Sequence, residues 1–207
     1  MADTEALEQL ERILHRLAMI EEDSKLESVL SKLLPKLVLM LDENASKETI
    51  RAKIMEVLSH IIKRVRPNTN VAFDCVGLLE VCQQVDPKAF SFNFSVVFLE
   101  IGVPRVRDEA VAVHVLRGLM KGISRLNRDG AQSTFLSLLT TLVSKFKGLP
   151  NGEAETQEFN LTAEDSEVIS EWFVAMMLFP SGGLAAGVVA LAGLSPARSE
   201  QLAVYQR

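Results

Sequence analysis

Between Ser24 and Arg66 the aliphatic residues recur at steps of three and four. Leu26, Val29, Leu30, Leu33, Leu34, Leu37, Val38 and Leu41 fall on one helical face. Asp42-Glu43-Asn44-Ala45-Ser46 interrupts the pattern. A second stripe then runs through Ile50, Ile54, Val57, Leu58, Ile61, Ile62 and Val65. The spacing predicts two amphipathic helices, and so short a loop makes them antiparallel neighbours. Each keeps apolar surface beyond what its partner covers, so another hairpin is expected alongside.

The same periodicity extends in both directions. A first helix is expected from about Thr4 to Ile20, with Leu7, Leu10, Leu14 and Leu17 as its inner edge. Ser24 with Glu27 reads as a capping box for the second helix, and Pro35 should kink that helix where the Ser31 carbonyl loses its partner. The third helix is expected over Lys47 to Val65, closed by Arg66-Pro67-Asn68-Thr69-Asn70. A fourth runs from Ala72 to Val85, and Asp86-Pro87 starts a fifth through KAFSFNFSVVFLEIG. There Phe90, Phe94, Val97, Phe98 and Ile101 share a helical face. Val96 to Leu99 also fits a strand, but helix is favoured because every neighbour is helical and a lone strand has nothing to pair with. Gly102-Val103-Pro104 ends this element. Asp108 to Ser124 and Ala131 to Lys147 follow as helices, the latter with Leu136, Leu139, Val143 and Phe146 as rungs. From Asn151 to Glu171 there are acidic residues and no basic ones, and the first half reads as a mobile loop. Thr162 with Asp165 caps an eighth helix that ends at Pro180.

Three residues give the central hairpin a more specific likeness: Pro35 midway along its first helix, Asp42 at that helix's end, and Arg51 near the start of the second. In these places it resembles a HEAT repeat. The fold class expected is all-α, a HEAT-like (armadillo-like) α-solenoid segment of antiparallel helix pairs. Residues 1–147 form the helical array, 148–163 an acidic flexible loop, 164–180 a further helix, and 181–207 a Gly/Ala-rich apolar tail that reads as incomplete.

Composition narrows the function more than the fold. At 207 residues, with 48% hydrophobic and 24% charged, the chain can bury a substantial core. A net charge of -5 argues against a general nucleic-acid binder. The small basic groups (Lys63, Arg64 and Arg66; Arg105 and Arg107; Lys121, Arg125 and Arg128) sit at predicted helix ends, where cations favour the dipole; a patch for phosphate or an acidic partner is the sharper alternative. Cys75 and Cys82 lie two helical turns apart, roughly 10 Å, too far for a disulfide. They read as reduced packing residues, consistent with a cytosolic or nuclear protein. The opening MADTEALEQLE is acidic and polar, unlike a secretory or transit peptide. Trp172 to Ala197 carries no charge and is long enough to span a bilayer. Pro180-Ser181-Gly182-Gly183 divides it, so a helix followed by an apolar tail is preferred and no stable membrane insertion is expected.

No set of residues converges on chemistry. His15, His60 and His114 lie on three different predicted helices without paired ligand spacing, and the cysteines make no CxxC, so no metal site is expected. Gly182-Gly183 and Gly187 lack the Lys-Ser/Thr of a phosphate loop, and no serine sits in a nucleophile elbow. Asp108-Glu109 is explained by the helix dipole. Trp172 on an apolar face is expected to be core rather than a partner hot spot. The chain therefore reads as no enzyme, with no catalytic residues and no cofactor.

A longer resemblance is carried by five blocks in order: LEQLERILHRLA, SKLLPKLVLML, RAKIMEVLSHIIKRV, FNFSVVFLEIGVPRV and FNLTAEDSEVISEWFVAMML. Together they resemble the N-terminal region of the large proteasome-associated HEAT-repeat adaptor family. Asn93-Phe94-Ser95 with Gly102, Pro104 and Arg105 is the most distinctive match, and Gly193-Leu194-Ser195-Pro196 is similar to a later family segment. The resemblance implies a scaffold that links proteasome regulatory and core particles and supports their assembly or stability. Two departures stand out. Family members are very long solenoids, so the C-terminal side of this chain is expected to be marginal or self-associating. Pro180-Ser181-Gly182-Gly183 also replaces the family's Pro-Tyr-Gly turn. Arg105 and Arg107, at a turn in the most family-like block, are the candidate partner contacts, and their removal is expected to leave melting unchanged. Phe94 and Phe98 are expected to be core. The alternative reading is a membrane-associated trafficking adaptor anchored near Leu184 to Leu194.

Overall fold

A computed structural model describes residues 2–126, 130–147 and 159–178. Among these residues the secondary structure is eight α-helices and one 3-10 turn, with no strand. The chain divides into two compact units, Met1–Arg107 and Asp108–Arg207.

In the first unit the periodic stripes become α1 (Ala2–Ala18), α2 (Asp23–Glu43), α3 (Glu48–Val65), α4 (Cys75–Gln84) and α5 (Phe90–Gly102), which runs into the 3-10 turn Val103–Arg105. Helices α2 and α3 form one hairpin and α4 and α5 the next. Helix α2 packs against α3, α4 and α5, while α1 lies against α3. From that central position α2 buries Leu26, Leu30, Leu34, Leu37, Val38 and Leu41. From α3 come Ile54, Val57 and Leu58, all fully buried. Helix α2 continues through Pro35, whose ring faces α4 at Gly77. A Cβ there would approach the Pro35 Cγ to 3.1 Å and the Asp74 carboxylate to 2.8 Å. The proline thus packs against the one residue of α4 that leaves it room.

Several expected boundaries shift for identifiable reasons. Helix α2 starts at Asp23 after an extended Glu22, with no side-chain cap. The expected Ser24–Glu27 box does not form because Glu27 is engaged elsewhere: its Oε1 accepts the Ala72 amide at 2.7 Å. Asp23 likewise accepts from the Asn68 side chain at 2.7 Å. Both acids at the start of α2 therefore order the 66–74 connection. The fourth helix begins at Cys75 rather than Ala72, because Asp74 is the N-cap and its Oδ1 accepts from Val76 and Gly77. Asp86-Pro87 does not open α5. Asp86 accepts the Lys88 amide and the Ala89 amide in a separate turn, and α5 begins at Phe90.

The face of α5 is rotated from the expected one. Phe98 and Ile101 are buried as expected, but Phe94 and Val97 are only half-buried and Phe90 is 57% exposed. The buried side is Ser91, Phe92, Ser95, Phe98, Leu99, Ile101 and Gly102. Two serines can occupy it because each has a partner. Ser91 Oγ donates to Asp42 Oδ1 at 2.7 Å, and Ser95 Oγ donates to the Ser91 carbonyl at 3.0 Å. A buried hydroxyl with a partner avoids the desolvation cost that polar patterning alone would predict.

In the second unit, α6 (Glu109–Arg125) and α7 (Gly130–Val143) pack as a pair, and α8 (Ala163–Leu178) follows. Asp108 caps α6 by accepting the Val111 amide. Helix α7 ends four residues before the expected Lys147. Its continuation pairs with Phe159 instead: the Lys147 amide donates to the Phe159 carbonyl at 2.8 Å and the Phe159 amide to that of Lys145 at 2.9 Å. Phe146 and Phe159, both buried, pack with their rings tilted by 57° and centroids 5.4 Å apart. Most of the acidic 148–163 segment and all of the 181–207 tail lie outside the described residues.

Candidate functional site

Arg105 and Arg107, the candidate contacts, stand at the end of the first unit and differ in their surroundings. Half-buried Arg105 aims its guanidinium at the 66–71 connection. One nitrogen donates to the carbonyls of Asn68 and Val71, both at 2.9 Å, and another to that of Arg66 at 3.3 Å. Burial lowers its pKa from the ordinary arginine value. Arg107 is exposed and reaches only the Asn70 carbonyl, at 3.3 Å. The structure thus brings both to one loop, Arg105 as a clamp on the backbone and Arg107 as the outward cation.

The HEAT-like positions are also tied down by chemistry. Asp42 holds Ser91 across to α5, and Arg51 donates to the Ala45 carbonyl at 3.0 Å, closing the α2–α3 turn. Arg64, read from sequence as a dipole partner of its own helix, instead donates to the carbonyls of Leu17 and Ile20 at the end of α1. The last four carbonyls of a helix lack intrahelical partners, so a guanidinium there supplies donors to that end, in addition to the Ile20 amide that Leu17 already accepts. Arg128 lies outside the described residues.

The second unit has its own polar centre. Thr162 and Asp165 form the expected cap: the Asp165 amide donates to Thr162 Oγ1 at 3.1 Å, and that hydroxyl donates to Asp165 Oδ2 at 2.7 Å. Arg117 of α6 donates to Asp165 Oδ1 through two nitrogens. Burial by itself would raise the Asp165 pKa, but the hydrogen bonds from Thr162 and Arg117, with the Arg117 charge, hold it below the ordinary carboxylate value. Glu109 accepts from the Asn160 amide at 3.0 Å, fastening the entry to α8 onto the start of α6. Sequence spacing could mark the cap; nothing in it marked the Arg117 partner 48 positions away.

Trp172 is fully buried, which makes it core. Cys75 and Cys82 are buried thiols, and burial, with the nearby Asp74 charge, pushes the Cys75 pKa up to about 12. Among the described residues no three His, Cys, Asp or Glu side chains cluster as metal ligands. No helix among them is long and apolar enough to cross a membrane.

Two units of packed helix pairs, fastened by caps and carbonyl clamps, define a helical-repeat protein segment. Residues 10–206 match the family described as proteasome component ECM29, N-terminal, and the chain belongs to that family. It is 29% identical over 187 residues to the human proteasome adapter and scaffold protein ECM29, covering 87% of this chain and 10% of that protein. The Drosophila melanogaster proteasome-associated protein ECM29 homolog is 28% identical over 171 residues, covering 83% of this chain and 9% of its own. The chain thus spans about a tenth of the length of these relatives. No solved structure matches it significantly.

Proposed function

We propose that this chain is a non-catalytic adaptor segment that binds the proteasome, links its regulatory and core particles, and supports their assembly or stability in the cytoplasm and nucleus. The match of the N-terminal family over nearly the whole chain carries this reading, together with relatives named as proteasome adapter and scaffold. Helical arrays suit the role because stacked pairs present long continuous surfaces. Within this reading Arg107 is the contact residue and Arg105 the residue that holds its loop in place. Affinity capture of the tagged chain, with mass spectrometry of bound proteins and membrane fractions included, tests it. Enrichment of subunits from both particles is expected. Trafficking proteins without proteasome subunits would favour the membrane-associated adaptor, and recovery of neither would end both readings.

A further inference from the structure

In the first unit an apolar groove opens between α1, its exit and α2. Helix α4 lies on α2, and α1 lies on α3, as successive pairs of one array do. The groove, of about 580 Å³, is lined by Ile13, Leu17 and Ile20 of α1 and its exit and by Val29 and Leu33 of α2. Met19 at its lip is 81% exposed and Val29 is 38% exposed, against near-complete burial of the residues on the opposite flank of α2.

Charge identifies the kind of occupant. On α2 the positions 25, 29, 32 and 36 share one flank at helical spacing, which places Lys25, Lys32 and Lys36 beside Val29. Arg16 lines the groove from α1. Lys25 is paired with Glu22 at 3.0 Å, but among the described residues no carboxylate lies within ion-pair distance of Lys32, Lys36 or Arg16. Arg16 in the lining, with Lys32 and Lys36 on the adjoining flank of α2, sets cations beside an apolar floor on a chain of net charge -5. We propose that this groove is a docking site for an amphipathic helix of a partner protein, apolar on one face and flanked by Asp or Glu. Apolar residues at i, i+3, i+4 and i+7 would enter between α1 and α2, and its carboxylates would meet Lys32, Lys36 and Arg16. This goes beyond the proteasome reading and does not depend on it.

The test uses the full chain and two labelled peptides about four turns long with the same leucine face, one flanked by Glu and the other by Lys. Fluorescence anisotropy should show saturable binding of the Glu peptide and at least about tenfold weaker binding of the Lys peptide. Val29→Asp with Met19→Asp should lower affinity for the Glu peptide about tenfold or more. Both positions are exposed, so circular dichroism should be unchanged. Lys32→Glu with Lys36→Glu, surface changes that leave the fold intact, should reverse the preference between peptides. Equal binding of both peptides, binding of neither, or a preference insensitive to the lysines would overturn the proposal. So would a concentration-dependent dimer in sedimentation that the Val29 and Met19 substitutions abolish, since the groove would then belong to a second copy.

Discussion

Arg105 and Arg107 are two positions apart, and one turn of backbone gives them different physics. Both looked like free helix-end cations in the sequence, where the carbonyls of a distant loop are invisible. Because Arg105 satisfies the carbonyls of Asn68, Val71 and Arg66, Arg105→Ala should destabilise by about 1–3 kcal/mol, the range of hydrogen bonds to a charged donor. Arg107→Ala should stay within about 0.5 kcal/mol. Urea titration of the single variants separates them; equal effects would refute the division of roles. Asp165 carries a pH dependence of definite sign. Its folded pKa is depressed, so its contribution is complete above the ordinary carboxylate value near about 4 and is lost as pH falls through the lower folded value. Melting of wild type and Asp165→Asn should differ most near neutrality and converge in acid. A gap that widens in acid would contradict this.

At the scale of elements, periodicity identified the helices and misjudged where their polar partners would be. Stripes in α2 and α3 were legible because a wide apolar face has one physical reading. The face of α5 was not, because Ser91 and Ser95 look like solvent residues until Asp42 and the Ser91 carbonyl supply their partners. That single exchange turns Phe92 inward and leaves Phe94 half-buried. Phe92→Ala and Phe98→Ala should therefore cost about 3–5 kcal/mol through cavity formation, and Phe94→Ala under about 2 kcal/mol. Equal losses at Phe92 and Phe94 in chemical denaturation would restore the unrotated face. Gly102, quoted in the family resemblance, has a packing reason: a Cβ would lie 2.6 Å from the Cys75 sulfur and 2.8 Å from the Phe73 ring. The candidate contact loop was legible only in part. Its arginines stand out in the sequence, but of the acids that order it Glu27 reads as part of a helix cap and Asp23 carries no signal.

For the whole molecule, the division between Arg107 and Asp108 is one that sequence periodicity does not single out, since the break at Gly102-Val103-Pro104 resembles the other breaks between helices. The first unit holds a core of its own, with Leu30, Leu34, Leu37, Val57, Leu58, Leu78 and Phe98 fully buried. Its connections are closed internally: Arg64 on the end of α1, Asn68 on Asp23, Ala72 on Glu27, and Arg105 on the 66–71 loop. The last of these clamps falls just before the boundary. A repeat array owes its stability to intrinsic and nearest-neighbour terms, so a block that retains its neighbours should fold without the remainder. Residues 1–107 expressed alone should give a helix-dominated circular dichroism spectrum and a cooperative melt. Ending the chain at residue 103 removes Arg105 and should lower the midpoint by more than the loss of Arg107 alone. A fragment 1–107 that melts without cooperativity would show that its core depends on the second unit, and the boundary would then mark no independent folding block.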